Sequence, residues 1–403
     1  MTGSEGSKIG RFEIIEELGR GAHGIVFLAW DPAARRQVAL KTPHPDVLFT
    51  PELRARFIRE GVAAARLAHT NIISVLEVDQ SGPVCYIVSS FCEGKALAAF
   101  LMERAESPPL EVAAQWTAEL ADAVEHAHRH GILHRDLKPA NVILEPAPGC
   151  LAHDEDPSGT PRKNNDQALV PKLTDFGLAK LIDSQDMRSR TGVLLGTPAY
   201  MAPEQVDSRL GAIGPPTDVY GLGAILYELL TLKRPFMADS QADLLRQIAC
   251  GDPPAPSLLR NDLPRDLEAI CLRCLQRTPR DRYPSAAALA ADLRRFQAGE
   301  VTLARPLGIA GRLGKWARRR PASATALAVG VLAALLLAVG ASWHFVEMGH
   351  ALGVAEEARA HAVQRGEELQ HMIYARDLQG THQALAQQNV RNAKYLLDRN
   401  QPV

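Results

Sequence analysis

A run of 25 residues, 322–346, contains no Asp, Glu, Lys or Arg, and it divides the chain into parts that must fold separately. About 20 apolar residues in a helix cross the hydrocarbon core of a bilayer, so this run is long enough to span one with some tilt. A basic cluster at 312–321 precedes the run, and Trp316 and Trp343 lie near its ends. Since basic flanks stay on the cytoplasmic side, we predict a single transmembrane helix at 322–346 with the preceding residues in the cytoplasm. The alternative is a buried helix of a soluble domain.

The residues before this run have the composition of a globular, intracellular protein. The chain is 46% hydrophobic, which supports a substantial core and excludes a disordered chain. Its 45 basic and 46 acidic side chains nearly cancel, so the charge balance predicts no nucleic-acid partner. All six cysteines precede the apolar run and are too few for a disulfide scaffold, so we expect reduced thiols. Residues 1–8 lack the apolar core of a secretory signal, and we expect a flexible N-terminus there.

The stretch 134–141, HRDLKPAN, places a carboxylate, an ammonium and an amide close together. Asp136, Lys138 and Asn141 are the groups needed to direct a hydroxyl toward a phosphoryl group held on magnesium. The string resembles the catalytic loop of bacterial serine/threonine protein kinases of the eukaryotic (Hanks) type. The resemblance implies that Asp136 orients the nucleophile, Lys138 offsets charge on the transferred group and Asn141 binds metal. A lone Asp in a turn is often only a turn residue, so this assignment depends on the other motifs.

A glycine-rich segment near the N-terminus lies between two predicted strands. Gly19, Gly21 and Gly24 let the backbone approach phosphates without a Cβ in the way. Dinucleotide-binding folds use similar glycines, but a helix follows them there, whereas the β-rich residues 25–30 follow here. The segment therefore resembles the glycine-rich lid of a protein kinase, although His23 at its tip departs from the family pattern. The resemblance implies contacts to ATP from Leu18, Gly19, Arg20, Gly21, Ala22, His23, Gly24 and Val26.

The strand-like stretch 38–41 ends in one lysine, Lys41. A desolvated ammonium needs a partner, because leaving it unpaired in the interior is expensive. The helix predicted at 51–68 has Glu60 on its apolar side, so we predict an ion pair between Lys41 and Glu60. A surface glutamate on a charged helix is the alternative. The resemblance implies that Lys41 fixes the α- and β-phosphates of ATP and that Glu60 sets the position of Lys41.

Residues 85–94 resemble the last strand of a kinase small lobe running into the hinge that binds adenine through its backbone. In that alignment Ser89 takes a position usually filled by a bulkier side chain at the rear of the adenine pocket. A small residue there predicts a roomy pocket. The resemblance adds Ala39, Ser90 and Cys92 to the residues that contact ATP.

A second acidic motif, TDFGLA, follows at 174–179. Two carboxylates can divide the work, with Asp175 holding Mg²⁺ that bridges the ATP phosphates and Asp136 left for the incoming hydroxyl. Asn141 is expected to help hold the metal. Asp175 and Asn141 are therefore the predicted metal ligands.

The polar segment 180–201 resembles an activation loop. Arg135, beside the catalytic Asp, is the kind of residue that pairs with a phosphate placed on such a loop. We predict Thr191 as the first choice for that phosphate and Ser189 as the second. Solvated hydroxyls with no role are the alternative. Thr197, at the end of the segment, is expected to contact the protein substrate.

Three further residues are expected to support the site. The motif that closes the activation loop contains Glu204, and by resemblance Arg282 is its partner. Asp218, at the start of an apolar stretch that reads as a buried helix, would brace the catalytic loop. Between the short strands that flank it, the Pro-, Gly- and Asn-rich segment 145–171 is expected to be a surface insertion.

The predicted fold class is α+β, a bilobal protein kinase fold with a β-rich N-lobe and a helical C-lobe, followed by one transmembrane helix. The segment after the membrane is polar and helix-prone, and its end resembles the lead-in to repeat domains, so Val403 is expected to be a truncated end. Such segments often associate as helices, which favours a homodimer. The predicted divisions are the kinase domain at 9–297 (N-lobe 9–92, C-lobe 93–297), a basic linker at 298–321 and an extracytoplasmic segment at 347–403.

Together these motifs predict a single-pass membrane serine/threonine kinase that uses ATP and Mg²⁺ to phosphorylate proteins. By resemblance, Lys138 and Thr197 favour Ser/Thr over Tyr as acceptor. A nucleotide-binding pseudokinase scaffold is the alternative function, although Lys41, Asp136 and Asp175 are all present. A small-molecule phosphotransferase is a second rival, which the activation segment disfavours.

Overall fold

The computed structural model describes residues 7–21, 24–44, 48, 50–147, 166–176, 198–305 and 321–386, with isolated positions at 391, 394, 395 and 398. The chain divides into two units, Met1–Lys315 and Trp316–Val403, which are described separately. The first unit has one lobe built mainly of strands and one built mainly of helices. The predicted α+β, bilobal architecture is therefore confirmed.

Six strands form the sheet of the first lobe, and each runs antiparallel to its neighbours. The strands are β1 Lys8–Ile9, β2 Phe12–Gly21, β3 Gly24–Asp31, β4 Arg36–Thr42, β5 Val75–Ser81 and β6 Val84–Ser90. Their order across the sheet is β1-β2-β3-β4-β6-β5. Alternating apolar residues bury one face around Phe12, Leu40 and Val88. Lys41 pairs with Val26 on β3 and Ile87 on β6, which places it in the middle of the sheet.

Helix α1, Pro51–Ala64, covers the other face of this sheet. Its Phe57 is fully buried against Cys85 and Ile87 of β6. A Cβ on Gly61 would lie 2.9 Å from Ile87 Cδ1, so the missing side chain is what allows this close approach. The glycine therefore costs helix propensity but sets how near α1 lies to the sheet.

The second lobe is organised around one buried helix, α5. Apolar residues occur all round it, as expected for a helix buried on every side, and it packs against α3, α7 and α8. The helices of this lobe are α2 Leu97–Met102, α3 Leu110–Arg129, α4 Pro203–Val206, α5 Pro215–Thr231, α6 Gln241–Cys250, α7 Arg265–Cys274 and α8 Ala286–Gln297. Short 3-10 helices occupy Pro139–Asn141, Asp166–Ala168, Pro198–Tyr200, Ser208–Leu210, Pro256–Leu258 and Pro279–Asp281.

A three-stranded sheet joins the lobes. Its strands, in the order β7-β8-β9, are β7 Lys95–Ala96, β8 Val142–Pro146 and β9 Leu169–Leu173. Leu173 donates its amide to the Asn71 carbonyl at 2.8 Å and accepts from the Ile73 amide at 2.9 Å, which ties the first lobe to β9. Asn141 directly precedes β8 and Asp175 follows β9, so both predicted metal ligands lie at this junction.

The predicted bounds of the insertion, 145–171, are too wide. Glu145 pairs with Val170 and Pro146 with Leu169, so β8 and β9 extend into the predicted loop from both ends. Pro171 lies on β9, an edge strand of this sheet, where a residue without an N–H is tolerated. Residues 148–165 lie outside the described part of the chain.

The second unit contains helix α9, Pro321–Ala386. It is the one helix among the described residues that is long and apolar enough to cross a membrane, with a mean hydropathy of 2.0 over its most apolar window. Its large apolar side chains, among them Leu337, Trp343 and Phe345, are exposed within the unit. The predicted span 322–346 lies entirely inside α9.

Candidate active site

The catalytic loop follows α3, is irregular up to the 3-10 helix at Pro139–Asn141, and is held by one buried carboxylate. Asp218, in the first turn of α5, is only 1% exposed. Its Oδ2 accepts a hydrogen bond from the His134 amide at 2.9 Å, and its Oδ1 accepts one from the Arg135 amide at 2.7 Å. Arg135 has a φ of 66°, a left-handed conformation that is unfavourable for a non-glycine residue. The two bonds stabilise this conformation, and Asp218 thus occupies the bracing position that the sequence predicts.

The sequence did not identify His128 as part of this arrangement. Its side chain is buried, and its Nε2 lies 2.7 Å from Asp218 Oδ2. The available signal was its position four residues after Val124, on the buried face of α3. His128 therefore belongs to the support of the catalytic loop.

The three polar groups of the catalytic loop come together as predicted. Lys138 Nζ lies 2.7 Å from Asp136 Oδ2. Asn141 donates its side-chain amide to the Asp136 carbonyl at 2.7 Å and to its Oδ2 at 3.1 Å. Because the Asn141 nitrogen is directed at Asp136, its oxygen is the atom that can face a cation. The arrangement holds a proton acceptor and a neutralising ammonium side by side.

The second carboxylate, Asp175, lies two residues after the end of β9. It also has a φ of 66°, and its Oδ1 lies 2.7 Å from Lys41 Nζ. The next residue, Phe176, is buried with its ring 4.7 Å from the His134 ring, and the His134 Nε2 donates to the Thr174 carbonyl at 3.0 Å. These contacts attach the second motif to the catalytic loop.

The predicted ion pair between Lys41 and Glu60 is not the one in this structure. Lys41 pairs with Asp175, whereas Glu60 Oε1 accepts from Arg56 Nε at 3.3 Å. Arg56 lies one turn earlier on α1, so it reaches Glu60 without any rearrangement of the helix relative to the sheet. Glu60 faces inward as expected, but the partner described for its side chain is Arg56 on the same helix and not Lys41.

A cavity of about 410 Å³ opens between the two lobes and contains most of the residues predicted to contact a nucleotide. Those in its lining are Leu18, Gly19, Val26, Ala39, Lys41, Ser90 and Cys92, and the predicted metal ligand Asp175 lines it as well. The lining does not include Gly21, Gly24 or Glu60. It does include Ala140, Ile143 and Thr174, which were not predicted to contact a nucleotide. Ala140 and Thr174 lie within the two quoted motifs, whereas Ile143 lies outside them. Among the described residues, Arg20 pairs instead with Glu17 at the surface. The cavity reaches Gly61 and Ala64 on α1 past the small Ser89, in agreement with a roomy pocket.

One cysteine lies in this lining. Cys92 Sγ donates to Glu145 Oε1 at 3.3 Å, and Glu145 Oε2 lies 2.6 Å from Lys172 Nζ. Burial, together with the neighbouring Glu145 carboxylate, raises the pKa of the Cys92 thiol to about 12. The thiol is therefore protonated at neutral pH and contributes packing rather than nucleophilic chemistry.

A fully buried ion pair supports the segment that follows the activation loop. Arg282 contacts both oxygens of Glu204, at 2.8 and 2.7 Å, and neither side chain is exposed. Thr217 Oγ1 donates to Glu204 Oε1 at 2.8 Å, which connects the pair to α5. The pairing of Glu204 with Arg282 is the one the sequence predicts. Beside it, Gln205 donates its side-chain amide to the Arg135 carbonyl at 2.8 Å.

Several predicted site residues lie outside the described part of the chain. They are Ala22 and His23 of the glycine-rich segment, and Ser189, Thr191 and Thr197 of the activation segment. Their roles stay predictions.

The sequence model of the protein kinase domain matches residues 12–293. Among curated proteins, the chain is 35% identical over 285 residues to the serine/threonine-protein kinase Pkn1 of Myxococcus xanthus, covering 70% of this chain and 38% of that one. It is 34% identical over 296 residues to the serine/threonine-protein kinase PknB of Mycolicibacterium smegmatis, covering 72% of this chain and 44% of that one. The chain thus spans less than half the length of these relatives.

Among solved structures, the chain is similar to the crystal structure of the Mycobacterium tuberculosis PknI kinase domain. The TM-score is 0.54 at 25% sequence identity, and the match covers 73% of this chain and 99% of that one. The part that matches is therefore the two-lobed unit.

The buried ion pair generates a stability prediction. Arg282→Met removes the charge but keeps much of the volume, so Glu204 is left as an unpaired buried carboxylate. We expect a loss of about 3–5 kcal/mol in the free energy of unfolding of the first unit. The measurement is denaturant unfolding of the full chain in detergent, followed by tryptophan fluorescence.

The matched control is Arg209→Met, because Arg209 pairs with Asp207 at the surface and its loss should leave the free energy of unfolding nearly unchanged. Combining Arg282→Met with Glu204→Gln should recover part of the loss. Equal effects of the two single arginine substitutions would contradict the burial argument.

Proposed function

Because the chain belongs to the protein kinase family, we propose that it is a membrane-anchored serine/threonine kinase that transfers the γ-phosphate of ATP to protein hydroxyls with Mg²⁺. The observation that carries the proposal is the convergence at one cleft of two charged pairs. Asp136 with Lys138 lies on the catalytic loop, and Lys41 with Asp175 spans the two lobes. The first pair suits a hydroxyl acceptor and the second a phosphorylated donor.

The residues present fit a magnesium nucleotide. The cavity volume of about 410 Å³ lies in the range of small-molecule sites. Apolar residues such as Val26, Ala39 and Ile143 provide walls for a base, while Lys41 provides a cation for phosphates. The Asp175 carboxylate and the Asn141 amide oxygen are hard oxygen donors, which Mg²⁺ prefers. When bound, Mg·ATP supplies a phosphoryl group whose charge is partly neutralised by the metal.

The proposed mechanism is mainly positioning and charge neutralisation. Asp136 accepts a hydrogen bond from the substrate hydroxyl and takes its proton as the hydroxyl oxygen bonds to the γ-phosphorus and the bond to the leaving ADP breaks. Lys138, 2.7 Å from Asp136, is close enough to neutralise charge that develops at the same place. Lys41 holds the α- and β-phosphates. The presence of all three groups favours an enzyme over the pseudokinase alternative.

Regulation by autophosphorylation is part of the proposal. Asp218 accepts a hydrogen bond from the Arg135 amide and Gln205 donates one to the Arg135 carbonyl, so both backbone groups of Arg135 are held in place. A phosphate on Thr191, or failing that on Ser189, would give its guanidinium an anionic partner. The protein substrate would lie near Thr197, on the segment that Glu204 and Arg282 support.

Membrane anchoring through α9 completes the proposal. The exposed apolar side chains of α9 would be covered by lipid, and the basic residues at 312–321 would stay in the cytoplasm with the kinase domain, 9–297. Residues 298–321 would then be a juxtamembrane linker, 322–346 the single span of the cell membrane, and 347–403 an extracytoplasmic helical segment. A homodimer through that segment, and a receptor role, follow as hypotheses.

The direct test is transfer of labelled γ-phosphate by the full chain in detergent, followed by acid hydrolysis. The wild type should yield phosphoserine and phosphothreonine, and Asp136→Asn should lower the rate by about 100-fold or more, because the proton acceptor is removed. Asp243→Asn, which changes an exposed carboxylate on α6, is the control and should leave the rate unchanged. Binding of nucleotide without transfer by the wild type would support the pseudokinase instead.

A second prediction follows from Ser89. Ser89→Met fills the part of the cavity that reaches Gly61 and Ala64. We expect it to weaken bulky ATP-competitive inhibitors by about tenfold or more, because inserted methylenes clash with them, while the KM for ATP changes far less. Inhibition constants and KM measured side by side decide this, and equal loss of both would place the hinge elsewhere.

A further inference from the structure

We propose that His44 is a positioning residue for the glycine-rich loop, residues 19–24, and thereby for the phosphates of the nucleotide. Its Nε2 lies 2.6 Å from the Gly21 carbonyl oxygen. A carbonyl oxygen can only accept, so the histidine ring donates this hydrogen bond. The inference rests on the proposed function, because it concerns how the same cleft holds ATP.

The two residues before His44 contact the second limb of the loop, which begins at Gly24, whereas His44 contacts the first limb, which ends at Gly21. Gly24 has a φ of 133°, and a Cβ on it would lie 2.0 Å from the Thr42 carbonyl oxygen. Only glycine allows the backbone to pass this close. Residues 42–44 thus touch both limbs, one through Gly24 and one through the His44 bond to Gly21.

This support adds to the backbone pairing of the first limb with β3, in which Gly21 lies opposite Gly24. Residues 16–21 of β2 are exposed, so packing contributes little to their position. The bond from His44 fixes the direction of the Gly21 carbonyl, and with it the end of the strand that leads into the glycine-rich loop.

His44 also connects the loop to the phosphate-binding lysine. Lys41 and Thr42 end β4, and His44 follows two residues later. The loop above the phosphates and the ammonium expected to hold them are thereby attached to one strand. A loop held in place before binding loses less conformational freedom when the nucleotide arrives, so affinity for ATP rises without a new contact to ATP.

The test compares four variants of the full chain in detergent. His44→Phe keeps a ring without a donor. His44→Gln keeps a donor at similar reach, and His44→Asn has the same amide one methylene shorter. His130→Phe is the matched control, because His130 Nδ1 makes a similar bond to the His126 carbonyl at 2.8 Å on α3.

We expect His44→Phe and His44→Asn to raise the KM for ATP about fivefold, the size of one net hydrogen bond, with kcat within about twofold of the wild type. His44→Gln should restore KM to within about twofold, and His130→Phe should not change it. The dissociation constant of a fluorescent N-methylanthraniloyl ADP with Mg²⁺ should shift in parallel. A merely structural role would lower kcat or the unfolding temperature for Gln as much as for Asn.

Two results would overturn the inference: an unchanged KM and dissociation constant in His44→Phe, or equal weakening by Gln and Asn. Both are separable from failure of the proposed function. If the wild type transfers no phosphate, or if Asp136→Asn transfers it as well as the wild type does, the kinase mechanism fails. The nucleotide dissociation constants would still decide the role of His44.

Discussion

The active site depends on one buried carboxylate, that of Asp218. It lies in the first turn of α5, where the helix dipole favours negative charge, and it is almost completely buried. Both of its oxygens are used, toward the amides of His134 and Arg135 and toward the His128 ring. The left-handed conformation at Arg135 would be unfavourable by itself, and the hydrogen bonds to a rigid, buried helix compensate for it.

His134 and Arg135, which Asp218 holds, are connected to the rest of the site through a short series of contacts. The His134 ring holds Thr174 and packs on Phe176, which positions Asp175 opposite Lys41. On the other side, the Arg135 carbonyl accepts from Gln205, the neighbour of Glu204. Asp175, the catalytic loop and the segment after the activation loop are therefore all supported by α5, which explains why a helix buried on every side also carries a buried acid.

The parts that could be predicted from the sequence are those set by local spacing. The three polar groups of the catalytic loop, Asp136, Lys138 and Asn141, are close together in the sequence, so their proximity can be predicted without knowing the fold. The Glu204–Arg282 pair is distant in sequence, and it was reached through resemblance rather than spacing. The Lys41–Glu60 pair failed because it depends on where α1 lies and on competition from Arg56, neither of which a periodicity can show.

Other errors have the same origin. The insertion was drawn too wide because its composition does not show that residues 145–146 and 169–171 pair as the ends of β8 and β9. His128 and His44 were missed as supporting residues because each acts by a single hydrogen bond to a group distant in sequence or on another element. A histidine outside any motif does not by its residue type indicate such a bond. Its position on the buried face of a helix, as for His128, or just after a strand, as for His44, is the signal that could have indicated it.

The most direct test of the role of Asp218 is amide hydrogen exchange in the catalytic loop of Asp218→Asn. The asparagine turns one acceptor into a donor facing a backbone N–H, so at least one of the two loop bonds must break. The account predicts faster exchange at His134 and Arg135, with wild-type protection retained along α5. Unchanged protection of the loop amides would contradict the central role of this carboxylate.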